Sequence, residues 1–146
     1  MHRELPVRLA HRAVELEDCA IFKHSPSIEK VCTGYKNSFA QIINCPAPFD
    51  QERESNFARL IQQIYERHSS TMITMARGAH EIRLSLTKDN ASFADFSDVQ
   101  KRLDDFYLSR IGIRMVIIYF CIVFDENQRF DSICRVVLCY VVMCVL

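Results

Sequence analysis

Two arginines on one predicted helix are the residues best suited to chemistry. Arg110 and Arg114 lie one turn apart in the segment FYLSRIGIRMVI, residues 106–117. Arg110 takes an apolar position in a ladder with period of three and four, whose other members are Val99, Leu103, Phe106, Ile113 and Ile117. A guanidinium taken out of water without a partner costs several kcal/mol. We therefore expect both arginines to be neutralised or solvated at the helix seam.

Equivalent seam positions on the other predicted helices also carry polar groups. Tyr35 and Ser38 lie one turn apart on the second helix, and His68 lies on the third. The first helix contributes an apolar residue, Leu9, to the same region. The four predicted helices thus each contribute to one region. Ligand sites of helical bundles commonly lie between facing helices in this way.

The residues allow two interpretations of this region. One is an internal salt-bridge network in which a glutamate such as Glu15 or Glu66 neutralises the arginines. The other is an anion pocket, because arginine binds carboxylates through a bidentate fork while Tyr and His add donors at the rim. The spacing leaves both interpretations open.

Composition indicates one helical domain of ordinary globular type. The chain has 146 residues, of which 49% are hydrophobic, so it can bury a core. Lys and Arg number 18, as do Asp and Glu, and this balance argues against nucleic-acid binding. Only three glycines occur, and no Asn-Gly or Asp-Gly hairpin signal is present.

Apolar periodicity predicts four helices. The first covers residues 4–17, and the second begins with Ser25 as N-cap and Pro26 as first helical residue, and ends at 44–48. The third runs from about Gln51 to about Leu86, a rod of roughly 54 Å at 1.5 Å per residue.

Two local signals complete this outline. Gly78 lies within the third helix, where it predicts a kink or a close helix contact. The S-x-x-Q pattern of Ser97–Gln100 is a capping box that opens the fourth helix. The predicted fold class is all-α, an antiparallel four-helix bundle with an apolar C-terminal tail of uncertain structure.

The end of the chain departs from this pattern. Residues 115–124 are apolar on every face, 125–132 are polar, and 133–146 are apolar again. Neither apolar run reaches the ~20 residues of a membrane span. We therefore divide the chain into a bundle, 1–124, and a divergent tail, 125–146. The tail either packs on the bundle or replaces a natural continuation through alternative splicing or a wrong gene model.

No catalytic or metal-binding set emerges from the residues, so we expect no cofactor in this chain. A Ser-His-Asp set with supporting motifs and an H-E-x-x-H motif are both absent. Gly34, Gly78 and Gly112 are too far apart to form a phosphate-binding loop. The seven cysteines include no C-x-x-C pair and no secretory signal precedes them, which favours free thiols in a reducing compartment.

Four segments resemble the mitochondrial protein kinases that act on 2-oxo acid dehydrogenase complexes, above all the pyruvate dehydrogenase kinases. These segments are HRELPVRLAHRAVELE (2–17), SPSIEKVCTGYKNSF (25–39), ERHSSTMITMARGAHE (66–81) and LDDFYLSRIGIRMVI (103–117). The resemblance implies the N-terminal regulatory bundle of that family, with an allosteric pocket for pyruvate or dichloroacetate. By this resemblance the pocket falls on Leu9, Tyr35, Ser38, Ile64, His68, Ser109, Arg110, Ile113, Arg114 and Ile117.

The resemblance also implies a function and a set of partners. The family transfers phosphate from ATP, with Mg, to serines of the dehydrogenase decarboxylase subunit in the mitochondrial matrix, and so inactivates the complex. Its bundle binds a small 2-oxo acid and docks the lipoyl domain of the acyltransferase core, and the kinases pair as dimers. The motifs of the ATP-binding domain are absent here, so we expect a truncated regulatory bundle that is inactive alone. The alternatives are a non-catalytic lipoyl-domain or kinase-binding protein, and an incomplete gene model.

Three departures from the family pattern stand out. Gly34 replaces a tryptophan that usually precedes the pocket tyrosine. Tyr65 replaces a common arginine, which removes one positive charge from the implied pocket. After Ile117 the chain continues with Ile118, Tyr119 and Phe120 in place of a G-Q-H or N-Q-H sequence.

Overall fold

The computed structural model describes residues 1–88 and 93–128, and side chains within 1–87 and 97–121. All regular elements within these ranges are helical, so the predicted all-α class is confirmed. The α-helices are α1 Glu4–Asp18, α2 Pro26–Asn44, α3 Gln51–Arg67, α4 Thr71–Lys88 and α5 Phe93–Gln128, and a short 3₁₀ helix, Ala20–His24, joins α1 to α2. The antiparallel order of the helices stays a prediction.

Only the beginning of the predicted tail, residues 125–146, lies in the described part of the chain. Its first four residues, 125–128, belong to the end of α5, and residues 129–146 lie outside the described part of the chain. Within α5, Ile117 and Ile118 are buried while Met115 and Tyr119 are exposed, so the apolar run meets the core on one side and water on the other.

Helix starts follow the local sequence signals. The Ser25 side chain accepts a hydrogen bond from the Ile28 backbone N–H at 3.3 Å, and Pro26 is the first residue of α2, as predicted. Asp50 caps α3 in the same manner, accepting from the Arg53 N–H at 2.8 Å. Each cap satisfies a backbone donor that the helix itself leaves without an acceptor.

The prediction of one continuous third helix is wrong. A turn at residues 68–70 separates α3 from α4, with bonds from Ser69 N–H to the Glu66 carbonyl and from Thr71 N–H to the His68 carbonyl. Serine hydroxyls compete for backbone groups, which favours a break at this point. The turn keeps His68 and Met75 both facing the core, so the apolar period continues across it and conceals the interruption.

The predicted start of the fourth helix at Ser97 is also wrong. The helix α5 already includes Phe93, so Ser97 lies in its second turn rather than at its N-cap. Gln100 does not reach back toward Ser97; its amide donates to Asp104, one turn onward, at 2.9 Å. Because no Pro or Gly stands between residues 93 and 97, the local pattern has nothing that would force a boundary.

The helices enclose one apolar core. The α1 and α2 helices form the most extensive contact, α4 packs on α2, and α5 packs on both α1 and α3. The side chains that are almost fully enclosed include Leu5, Leu9, Ile28, Tyr35, Ile42, Phe57, Ile61, Ile64, Met75 and Ile82. The described part of the chain contains no helix with the length and hydrophobicity that membrane crossing requires.

The N-terminus of α2 is held by a carboxylate from α4. Glu81 accepts hydrogen bonds from the Ser25 and Ser27 hydroxyls, both at 2.6 Å, and from the Ser27 N–H at 3.3 Å. The two serine hydroxyls lower the pKa of Glu81, because they bond to its charged form. A negative charge at this position also interacts favourably with the positive, N-terminal end of the α2 dipole.

Gly78 allows α4 to approach α2 closely. A Cβ atom at this residue would lie 2.4 Å from Ile28 Cγ1 and 3.0 Å from Ser25 Oγ. Of the two roles that the sequence allowed for Gly78, the close helix contact is therefore confirmed. The same approach brings Glu81, one turn further along α4, to the serines of α2.

Two glycine-to-alanine substitutions should act in opposite directions. Gly78→Ala should lower the free energy of unfolding by about 1–3 kcal/mol, because its methyl group overlaps Ile28. Gly34→Ala is the matched control: its Cβ would meet only His68 Cε1, at 3.9 Å, so better helix propensity should raise stability by up to about 1 kcal/mol. Urea unfolding followed by circular dichroism measures both. Equal effects at the two positions would contradict the close contact.

Removing the charge of Glu81 should loosen the start of α2. Glu81→Gln replaces two charge-assisted acceptors with one neutral oxygen, so the thermal midpoint should fall at pH 7. The lowered pKa of Glu81 means that its contribution is present above pH 4.5 and is lost as the pH falls below that value. Glu29→Gln, an exposed residue in the first turn of α2, changes the net charge equally without these bonds. The same midpoint shift in both variants would show that only the general field at the helix end matters.

Candidate functional site

Arg110 is buried at the meeting of α5, α2 and the turn after α3. Only 3% of its surface is exposed. Its Nη2 donates a hydrogen bond to the His68 backbone carbonyl, and the Tyr35 hydroxyl lies beside the guanidinium. Burial lowers the pKa of Arg110, since a charged group is disfavoured away from water. The guanidinium nevertheless stays positive, because arginine does not lose its proton in proteins.

The described side chains include no carboxylate that pairs with Arg110 or Arg114. Glu15, one of the two glutamates considered for that role, pairs with Arg12 on the same helix. Glu66, the other, accepts a hydrogen bond from Gln62 at 3.2 Å. The internal salt bridge that the sequence allowed is therefore not formed by either glutamate.

Arg114 lies one turn along α5 and is half-buried against Tyr65 of α3. Its Nη2 donates to the Tyr65 hydroxyl, and its guanidinium carbon lies 4.4 Å from the centre of the Tyr65 ring. This geometry is a cation–π contact, which holds a charge without neutralising it. The region thus contains two guanidinium groups held by neutral oxygen atoms and aromatic rings.

Hydrogen-bonding groups surround the His68 ring. Ser38 Oγ lies 2.9 Å from the Gly34 carbonyl oxygen and also 2.9 Å from His68 Nε2. Arg67 Nη1 donates to Ser38 Oγ at 3.1 Å, and Thr71 Oγ1 lies 3.5 Å from His68 Nδ1. These contacts hold the orientation of the imidazole ring.

His68 is neutral at physiological pH because its surroundings disfavour a further positive charge. Burial is the main cause, followed by repulsion from Arg110, Arg67 and Arg114, and together they lower the pKa of His68 to about 4. The ring also contacts Tyr35, with centroids 4.6 Å apart. Burial raises the pKa of Tyr35, so its hydroxyl remains a protonated donor.

The structure brings together most, though not all, of the candidate residues. Tyr35, Ser38, His68 and Arg110 contact one another directly, and the apolar candidates Leu9, Ile64, Ile113 and Ile117 are all buried in the surrounding core. Ser109 is half-exposed and lines a separate surface groove of about 360 Å³ with Arg12, Arg102 and Phe106. Arg67, which bonds to Ser38, and Thr71 were missed, because the break after α3 changes which residues approach His68.

The described side chains offer a cationic site rather than a metal site. They include no group of three or more His, Cys, Asp or Glu side chains that could hold a metal ion. Cys19, Cys32 and Cys45 carry thiols rather than disulfides, and burial raises the pKa of Cys32, which makes it a poor nucleophile. Two guanidinium groups, a tyrosine hydroxyl and a neutral histidine form a set that suits a small carboxylate.

Comparison with known proteins shows that the chain is similar to part of several mitochondrial kinases. A family model described as mitochondrial branched-chain alpha-ketoacid dehydrogenase kinase matches residues 1–135. The [pyruvate dehydrogenase (acetyl-transferring)] kinase of Arabidopsis thaliana is 34% identical over 118 residues, which cover 80% of this chain and 31% of that protein. Isozyme 4 of Mus musculus is 29% identical over 133 residues (88% and 31%), and isozyme 3 of Homo sapiens is 32% identical over 123 residues (80% and 29%).

These matches cover nearly the whole chain, although it spans only about a third of the length of the curated relatives. They agree with the resemblance that the four sequence segments indicated. The chain therefore belongs to the mitochondrial branched-chain alpha-ketoacid dehydrogenase kinase family.

Proposed function

We propose that this chain is a regulatory helical domain of the dehydrogenase kinase type that binds a small 2-oxo acid at Arg110. The observation that supports this most is the burial of Arg110, 3% exposed, with no carboxylate partner among the described side chains. A bound carboxylate would supply the negative charge that the chain itself does not bring to this position.

Each candidate residue has a distinct role in this proposal. Arg110 binds the carboxylate; its five N–H donors allow this alongside its bond to the His68 carbonyl. Tyr35 donates from its hydroxyl, and His68 offers a neutral ring held by Ser38. Arg114 adds a second positive charge at one turn's distance. Leu9, Ile64, Ile113 and Ile117 form apolar walls. Ser109 is included only by family resemblance, since its side chain lines a different groove.

Wider roles follow from the names of the relatives. They are described as mitochondrial kinases of pyruvate dehydrogenase, so we place this chain in the mitochondrion, and in its matrix. The partners proposed are the lipoyl domain of the acyltransferase core, the decarboxylase subunit whose serines are phosphorylated, and a second kinase. ATP and Mg are proposed as ligands of full-length family members and not of the described residues.

Dichloroacetate should stabilise the chain through Arg110. At ten times the dissociation constant the expected gain is about 1.4 kcal/mol, from RT ln(1 + [L]/Kd). Arg110→Gln should abolish the rise in thermal midpoint, since an amide cannot pair ionically with a carboxylate. Arg102→Gln, on the exposed face of the same helix, should leave it intact. The measurement is the ligand-induced shift in each variant. An equal shift in Arg110→Gln would reject the site.

Acid should weaken the fold through His68 before it affects the carboxylates. The pKa of His68 is lowered in the folded state, so its neutral form contributes stability above pH 6.5 that is lost as the pH falls from 6.5 toward 4. The loss between pH 6.5 and pH 5 should be about 2 kcal/mol. His68→Asn should flatten this slope, whereas the control His80→Asn, a substitution at an exposed position on α4, should not. Urea unfolding at several pH values tests this, and parallel slopes in all three proteins would contradict it.

A further inference from the structure

A groove of about 520 Å³ opens on the surface beside the buried cluster. It runs between α2 and the turn that joins α3 to α4. Gly34 lies in its α2 wall, and Arg67, His68 and Thr71 lie in the opposite wall. The volume exceeds what a three-carbon acid requires, so the groove is wide enough to admit one.

Gly34 is the residue that leaves the groove open toward His68. A Cβ atom added to Gly34 would have a single neighbour within 4 Å, His68 Cε1 at 3.9 Å. The space above this position is otherwise free. His68 is 9% exposed, while Tyr35 and Ser38, which contact its ring, are 1% and 0% exposed. The imidazole therefore separates the groove from the buried arginine.

Arg67 connects the groove to the interior. Its side chain is exposed in the groove wall, yet its Nη1 donates to the buried Ser38 Oγ at 3.1 Å and to Gln41 Oε1 at 2.8 Å. The wall also carries Lys30 and one acidic residue, Glu29. Two cations against one carboxylate give the groove a net positive charge, which favours the approach of anions.

We propose that this groove is the passage by which a small carboxylate reaches His68 and Arg110, with Gly34 keeping it open and Arg67 making the first contact. This inference rests on the proposed function. It assigns to Gly34 a role in the rate of ligand exchange, and it assigns to Arg67 a role in attracting the anion. Because the His68 ring separates the groove from Arg110, the passage requires this ring to move.

A bulky side chain at Gly34 tests the passage. Gly34→Trp places a bulky side chain in the groove beside His68. Because the chain contains no tryptophan, this substitution also introduces a single fluorescent reporter of folding there. Exchange of dichloroacetate is measured from the NMR line width of its one C–H proton, and its dissociation constant by calorimetry. Gly34→Trp should slow association and dissociation together by about tenfold while the dissociation constant changes little. Gly34→Ala, the control, should exchange as the unmodified chain does.

The outcomes separate the passage from the site itself. Unchanged exchange rates in a folded Gly34→Trp variant would overturn the passage and leave the site at Arg110 standing. Failure of the unmodified chain to bind dichloroacetate would overturn both. If Gly34→Trp does not fold or does not bind, Arg67→Gln decides: association should slow by about threefold and depend less on ionic strength. An unchanged association rate in Arg67→Gln would then overturn the passage.

Discussion

The packing around Arg110 is constrained by a buried positive charge that deprotonation cannot remove. Arg110 is nearly enclosed, and a guanidinium keeps its proton at any pH at which the chain folds. Its surroundings therefore have to supply oxygen atoms, and they do so from a backbone carbonyl at His68 and a hydroxyl at Tyr35. The carbonyl belongs to the turn after α3, and its two lone pairs accept from both the Thr71 N–H and Arg110.

The neutral state of His68 follows from the same charge. The ring is enclosed beside three arginines, and protonation would add a fourth positive charge to a space without a counter-ion among the described side chains. Ser38 Oγ bonds to both His68 Nε2 and the Gly34 carbonyl oxygen, and so holds the ring in place. The helix break, the buried arginine and the neutral histidine are thus one connected arrangement rather than three separate features.

Sequence reasoning succeeded where the determining interactions are local. The cap at Ser25 and the helix start at Pro26 depend on neighbours within one turn, and both are as predicted. The seam positions of Tyr35, His68 and Arg110 follow from a period that the core enforces, and all three are buried. Gly78 was singled out correctly because a glycine inside a helix needs a packing reason, and Ile28 supplies it.

Sequence reasoning failed where the structure depends on contacts between distant segments or on backbone atoms. Hydrophobic periodicity does not detect the turn at 68–70, since the turn preserves the phase of the apolar face. The acceptor for Arg110 is a backbone carbonyl, and no residue type identifies it in advance. Ser109 neighbours Arg110 in sequence yet faces a different groove, because adjacent helical residues point about 100° apart.

The bond from Glu81 to the start of α2 has a consequence for how the chain is made. Glu81 and Ser27 are 54 residues apart in sequence. During synthesis the serine hydroxyls at the start of α2 therefore cannot bond to Glu81 until most of α4 has left the ribosome. Contacts of such long separation form late, because a large loop must close before they add stability. The amino-terminal half of the chain therefore emerges without the hydrogen bonds from Ser25 and Ser27 to Glu81, and these bonds form once α4 packs on α2.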